Sequence, residues 1–520
     1  MFPPKGEGGL KESISPGAVW AEYQRADGYD RAIGLYDNVR RNEDFYIGNQ
    51  WEDLTAAGLE KPVLNFLRRV VAYFISMIVS DDVGVALTAA EGSPQSEFIC
   101  DVLDGEVEKV IEKSRAKDLA RGMLRDAAVD GDGCFWLSFE PTGGADGGIR
   151  VETADNTKVL FGNPFVAGVQ KQRSIIMVVR MPLDEAREEA KNAGCADWES
   201  ITPDEAASYY GEDKDAEKQL VTVLVRLWKE SGTVRFCKCT RDVMIKPPAD
   251  TGLRLYPLAW MNWEAVKNSY HGQAALTGLI PNQIFVNKLW AMAMEHQKRL
   301  AFPKLFYDMT KIREWTNRAG EAVGVAGDPT TAVASGFRAP DMSDQALELV
   351  DRTISYTRDF MGASDAALGN IRPDNTSAII AVQKASSAPL ELQRLAFYSF
   401  WEDVVRIILD HIRAYYGKRP VSFRTDGGVF TDTVDFGAIN YDALELKVDV
   451  GAASYWSELM QVQTADNLFE RGIVTDAVTY LESVPDAYIH GKNKLIARLR
   501  EQREAAGEPA AEDAPRPGAG

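Results

Sequence analysis

Cysteine is scarce in this chain. Five residues in 520 are too few for a disulfide framework and fit a reducing compartment. Histidine is scarcer still: His271, His296, His411 and His490 stand far apart, and none has a second His or Cys at metal-ligand spacing. Cys237 and Cys239 would share one face of a strand, but no second pair completes a tetrahedral site, so a structural role is expected. No Gly-rich loop ends in Gly-Lys-Ser/Thr, because Gly417-Lys418 runs into Arg419 and Gly491-Lys492 into Asn493; no backbone cradle for a nucleoside triphosphate is offered. Gly131-Asp132-Gly133 begins like a dinucleotide fingerprint, but the third Gly is missing and a tight turn before a strand is the better reading. Long apolar runs are also absent. The longest, Val70 to Val79, is about half of the roughly 20 residues that span a bilayer, so no membrane partner is expected. Met1 to Leu10 is Pro/Gly-rich without an apolar h-region, so no secretory signal is expected either.

Carboxylates are plentiful: 77 Asp+Glu against 58 Lys+Arg, a formal net charge of −19. That balance argues against a monomer that grips DNA by neutralising phosphates, which needs a basic footprint. It is compatible with a protein that surrounds DNA and must avoid holding it. Asp130 and Asp132 could bind a cation, but Asp-Gly-Asp-Gly is turn chemistry in most proteins. A metal-dependent nuclease would need a third carboxylate converging on them, and none is identifiable. No catalytic residue, metal or cofactor is assigned. With 45% hydrophobic and 10% aromatic residues the chain can build real cores, and its length suggests about three or four folding units.

The pattern predicts an α+β, mostly helical chain. Ser15-Pro16 is a helix start, and one polar helix is expected to about Ile47. Pro62 should open a second helix with Leu64, Leu67, Val71, Phe74 and Ile78 at helical spacing, and Ser93-Pro94 a third to about Val129. Strands follow at Cys134–Phe139, Gly148–Glu152, Ser174–Met181, Val221–Trp228 and Val234–Cys239, with a helix from Leu183 to Ala193 capped by Gly194. Asn282 to Ala301 reads as a helix of roughly 30 Å, stopped by Pro303. Residues 303–341 are short β-prone pieces broken by Gly and Pro, with five basic and five acidic residues, so a neutral segment in a chain of −19. A helix from Ser343 to about Met361 comes next. The Gly/Asn/Pro-rich stretch 362–375 leads to the longest helix, Thr376 to about Tyr416, with a kink expected at Pro389. Weak strands between Val421 and Val450 precede three amphipathic helices at about 454–471, 475–483 and 490–505, and the last fifteen residues should be disordered.

This order of parts resembles the portal proteins of tailed bacteriophages and their prophages. The matching residues are Phe45-Tyr46-Ile47-Gly48-Asn49-Gln50-Trp51, then Lys61-Pro62-Val63-Leu64-Asn65, the segment Asn156–Phe165, and Gly369 to Thr376 with its Asp-Asn-Thr-Ser ending. The resemblance implies a portal-like fold: a wing over 1–265 with further wing strands at 418–453, and a first stem helix within 266–302. A small β-rich clip follows over 303–341, then a second stem helix over 342–361, a tunnel loop over 362–376, a long kinked helix over 377–417, a helical crown over 454–505 and a tail over 506–520. It also implies a homo-oligomeric ring, usually of about twelve subunits, at one capsid vertex of the virion. Such a ring is assembled in the host cytoplasm and passes double-stranded DNA without sequence preference. Its implied partners are the terminase large subunit, a head-tail connector or adaptor, and the major capsid and scaffolding proteins.

By that analogy Gly369, Asn370, Ile371, Arg372, Asp374 and Asn375 would face DNA in the tunnel loop. Lys288, Lys298, Arg299 and Lys304 would line the channel, or be solvated charges and ion pairs within the stem. In the clip, Lys311, Arg313, Trp315, Arg318, Phe337 and Arg338 would dock partners, or the aromatics would bury against the clip's own strands. The alternatives to the ring are a helical scaffold that binds only protein and the nuclease already considered.

Overall fold

A computed structural model describes residues 14–51, 59–79, 83–89, 94–141, 148–204, 220–301, 304–314, 324–328, 334–337, 344–360, 388–425, 428–441 and 444–450, with parts of 462–499. The fold mixes helix and strand, with helix the larger share.

The N-terminal helices are shorter than the pattern predicts. Helix α1 spans Pro16–Ala32, with Ser15 Oγ accepting Ala18 N at 3.3 Å, and α2 spans Leu35–Ile47. The single helix expected here breaks at Gly34, whose φ of 70° is a left-handed conformation that a helix interior cannot hold. Helix α3, Phe66–Val79, begins beyond Pro62 because Asn65 caps it, its Oδ1 accepting Arg68 N at 3.2 Å. After strand β1 (Val83–Ala89), the helix expected to run to Val129 is also two, α4 (Pro94–Lys113) and α5 (Ala116–Asp130). They are parted at Arg115, φ 50°.

The five strands expected between Cys134 and Cys239 fill in closely, in two sheets. β2 (Asp132–Glu140) lies between β3 (Gly148–Ala154) and β9 (Leu258–Asn262) in an antiparallel sheet. A second, five-stranded antiparallel sheet runs in the order β4 (Val159–Phe161), β5 (Ser174–Pro182), β6 (Leu220–Glu230), β7 (Thr233–Cys239), β8 (Met244–Asp250), with α6 (Leu183–Asn192) following β5. Strand alternation gives this sheet two apolar faces. Leu160, Ile176, Leu224 and Cys237 lie under Val19 of α1. On the other face Phe161, Ile175, Leu227 and Phe236 pack with Tyr256 and Tyr270, while Val221, Val223 and Ile245 lie under Ala186 and Ala190 of α6. Cys237 and Cys239 are both buried on the α1 face, where desolvation pushes each thiol up to about 12; they are packing residues.

The largest core joins α3, α4, α5 and the three-stranded sheet to helix α9, Glu391–Tyr415, after α7 (Ile280–Ala301), β10 (Lys304–Tyr307), β11 (Ala334–Phe337) and α8 (Asp344–Phe360). Phe135 of β2 meets Phe400 of α9 edge-on at 5.0 Å, and Phe139 stacks on Tyr415 at 4.7 Å. Pro389 sits in a 3-10 turn, Ala388–Leu390, immediately before α9; the earlier part of that expected long helix lies outside the described residues. Strands β12 (Lys418–Thr425) and β13 (Gly428–Asp435) pair with each other, and β14 (Leu444–Val450) pairs antiparallel with β1 from the other end of the chain. Helix α10, Ala477–Ser483, corresponds to the middle one of the three C-terminal helices; the final fifteen residues lie outside the described ones. Among the described residues no helix is long and apolar enough to cross a membrane.

Candidate functional site

Helix α7 has 22 residues, about 33 Å at roughly 1.5 Å per residue. Pro281 stands in its first turn, where a missing N–H costs nothing, and no Gly or Pro interrupts it afterwards. Its C-terminal turn carries Lys298 and Arg299, which suit the negative end of the helix dipole. Strands β10 and β11 then pair antiparallel, Lys304 opposite Phe337, and α8 returns alongside α7. Asn282 Nδ2 donates to Thr357 Oγ1 at 3.0 Å, joining the start of α7 to the end of α8, so the two helices are antiparallel.

The root of α7 is locked by amides. Gln283 and Asn287 are fully buried. Gln283 Nε2 donates to Leu64 O at 2.8 Å and to Asn287 Oδ1 at 2.9 Å, and Asn287 Nδ2 donates to Gln50 Oε1 at 2.7 Å. Gln50 Nε2 in turn donates to Phe45 O at 2.9 Å, Asn65 Nδ2 to Tyr46 O at 2.9 Å, and Trp51 Nε1 to Pro62 O at 2.9 Å. The two sequence motifs around Gln50 and Asn65 therefore meet each other and hold this helix.

The far half of α7 is different. No residue after Ala291 is buried. Phe285, Met292 and Met294 are exposed, as are Leu349 and Tyr356 of α8, whereas Leu289 and Trp290 pack against the large core. Such apolar surface on a paired helix is what a neighbouring chain would cover.

The basic residues expected in this region separate into different environments. Lys288 is exposed. Lys298 Nζ lies 2.9 Å from Glu60 Oε1, and Arg299 Nε lies 3.0 Å from Glu295 Oε1 of its own helix. Their charges are in solvent-exposed pairs, which hold weakly and exchange readily. Lys304 is at the start of β10, but its side chain lies outside the described residues, as does that of Phe337. Between the strands, Asp308 Oδ1 accepts the Thr310 hydroxyl at 2.5 Å and Thr310 N at 2.9 Å, bonds that hold the carboxyl below its usual range. Lys311 O accepts Ala326 N at 2.9 Å, Ile312 is buried and Arg313 is exposed. Trp315, Arg318, Arg338 and the loop residues Gly369 to Asn375 lie outside the described residues. Sequence reasoning missed Phe306 and Met309, which are 62% and 74% exposed. The four-residue strand and Asp-Met-Thr turn that carry them were the available signal.

Asp130 and Asp132 do not open a metal site. Asp132 Oδ2 is 2.6 Å from His271 Nδ1, and its Oδ1 accepts Asn262 Nδ2 at 2.6 Å and Gly272 N at 2.7 Å. His271 Nε2 is 3.4 Å from Asp30, which also accepts the Tyr270 hydroxyl at 3.1 Å. Burial pulls the imidazole's pKa down, but the hydrogen bonds and charges of Asp132 and Asp30 outweigh it and raise it to about 9. Asp130 is raised to about 8, chiefly by burial and then by the charge of Asp126. The Gly131 of this turn has φ 107° and comes so close to Gly272 O that a Cβ would lie 2.7 Å from it. Among the described residues no three or more His, Cys, Asp or Glu side chains form a group able to hold a metal.

Among the described residues a mixed helix-and-strand body bears a helical pair with exposed apolar side chains, which is compatible with an assembly protein. A family model described as Phage P22-like portal protein matches residues 24–454, and the chain belongs to that family. It is accordingly a structural, non-enzymatic phage portal protein, of the oligomeric ring at the capsid vertex of the virion. No curated protein matches the chain.

Proposed function

We propose that about twelve copies of this chain form a ring that admits double-stranded DNA during packaging and releases it during ejection. The observation that carries this reading, beside the family match, is the outer half of α7, which has no fully buried residue after Ala291 and exposes Met292 and Met294. In this reading residues 1–265 and 418–453 are the wing, α7 and α8 the stem, and 303–341 the clip. Residues 362–376 form the tunnel loop, 377–417 the long helix and 454–505 the crown.

The −19 charge of each copy gives the ring a background that repels duplex, so adhesion to the channel is weak, as transport requires. Lys288, Lys298, Arg299 and Lys304 supply sparse phosphate contacts against that background. Because Lys298 and Arg299 sit in exposed pairs, a passing phosphate can replace Glu60 or Glu295 at little cost. Gly369 to Asn375 contact the DNA, and the clip is the docking platform for the terminase large subunit and then the head-tail connector. The capsid and scaffolding proteins meet the ring during assembly in the host cytoplasm.

The test is a complementation of head assembly. Shells assembled without this chain should close but contain no DNA, and supplying the chain during assembly should restore filled heads. DNA-filled shells made in its absence would overturn the reading.

A further inference from the structure

The five-stranded sheet has two unlike edges. At the β4 edge a cleft of about 450 Å³ opens between α1 and strands β4 and β5. Arg25, Arg173 and Arg226 line it against a single acidic residue, Glu22. Glu22 Oε2 takes Arg226 Nε at 2.7 Å and the same carboxylate accepts the Ser174 hydroxyl, so Arg226 is balanced internally. The positive charge at the mouth is that of Arg25 and Arg173, both exposed.

Beside this mouth Phe165 is 64% exposed, its ring edge-on to Tyr29 at 5.9 Å. The backbone fixes it there. Phe165 N donates to Asn163 Oδ1 at 3.1 Å, Asn163 N to Gln172 Oε1 at 3.0 Å, and Tyr270 N to Pro164 O at 3.0 Å. An aromatic ring held in water on an ordered turn, with Tyr and Arg around an adjacent cleft, has the composition of an interface anchor.

The β8 edge is acidic. There α6 covers the opposite face of the sheet, and a second cleft of about 350 Å³ is lined by Glu185, Glu188, Glu189 and Lys246. Glu189 pairs with Lys246 at 3.0 Å and with Lys238, which leaves its neighbours Glu185 and Glu188 to set the surface charge; both are exposed. Complementary patches on opposite edges and opposite faces of one sheet cannot meet within a chain. A two-fold pairing of either patch with itself would place like charges together. Head-to-tail contact satisfies both, and repeated heterologous contacts close into a ring when the rotation from copy to copy closes.

We propose that the acidic α6 edge of one copy docks into the Arg25–Arg173–Phe165 cleft of the next, making a wing-to-wing contact. The proposal rests on the ring reading and names the surfaces that would join its subunits. Two reversed variants test it. R25E/R173E makes the cleft acidic, and E185K/E188K makes the α6 edge basic. Each alone should weaken ring assembly by about tenfold or more, since two attractions become two repulsions at every contact. Mixed in equal amounts they should assemble again as alternating rings, because each reversed surface then meets its opposite. All four side chains are exposed, so unfolding temperature should hold within about 2 °C, as small surface changes in a large chain do. Rings from either variant alone at the wild-type yield would overturn the edge pairing, leaving the ring reading intact. Failure of the mixture to assemble would also overturn it. Wild-type protein that never forms rings would overturn both.

Discussion

Asn287 Nδ2 donates to Gln50 Oε1 at 2.7 Å across 237 residues of sequence, with both side chains buried. That bond continues through Gln283 to Leu64 O, so the turn after α2, the cap of α3 and the root of α7 form one hydrogen-bonded unit. Replacing Asn287 by Ala leaves the Gln50 and Gln283 amides short of a buried partner, which should cost about 1–3 kcal/mol. Urea unfolding monitored by tryptophan fluorescence would show it. Unchanged stability would mean that water satisfies those groups and the unit carries no strength.

The buried His271 predicts a pH dependence. Its pKa is raised from 6.5 to about 9, so the folded chain holds a proton that the unfolded chain releases across that interval. Stability from this group is complete below pH 6.5 and is lost as pH rises through 9, on the order of 3 kcal/mol. Asp130, raised to about 8, acts in the same direction over a lower range that ends near pH 8. Between pH 8 and 9 His271 shares the slope with the buried thiols of Cys237 and Cys239, pushed up to about 12, so its own part is the difference between wild type and H271Q. H271Q should fall less steeply than wild type there, as measured by denaturant unfolding at a series of pH values; parallel slopes would contradict the charged imidazole.

The stem helices separate packing from assembly. Trp290 packs against the chain's own core, so W290D should destabilise the subunit by about 3 kcal/mol or more. Phe285 and Met292 are exposed, so F285D/M292D should fold normally and fail to form rings. Analytical ultracentrifugation beside circular dichroism distinguishes the two. Normal rings from F285D/M292D would remove this face from the subunit contact.

The channel and clip assignments predict separable defects. K298Q/R299Q should change how long filled heads retain DNA, with ring yield unchanged, and the difference should shrink at high salt. K311E should lower packaging while rings still form. Retention equal to wild type at low salt would count against exposure to the channel. Normal packaging by K311E and by R313E would count against terminase docking at this part of the clip.

Local signals were read well from sequence where a single element carries them. The alternation of Val221–Trp228 and Val234–Cys239 found β6 and β7, and the Leu183 start and Gly194 stop found α6. Gly34 was a visible break inside the single helix expected to Ile47, while Arg115 takes its left-handed conformation with no residue-type signal. Long-range pairing is not written in periodicity: β1 finds β14, and Asp30 and Asp132 find His271, only through the tertiary fold. The same limit applies to the amide unit. Its members stand in three separate motifs, two of which carry the family resemblance, and their meeting explains why those short stretches belong together. The exposed Phe306 and Met309 could not be recognised from pattern, since an apolar residue in a short strand or turn is as often buried as displayed.

The central claim is that the chain closes into a ring around DNA. Negative-stain imaging of the purified full-length protein, paired with native mass measurement, tests this directly. The account predicts closed rings of uniform subunit number, near twelve, with an axial hole that admits a DNA duplex. Monomers at all concentrations, open filaments, or rings without an axial opening would contradict it.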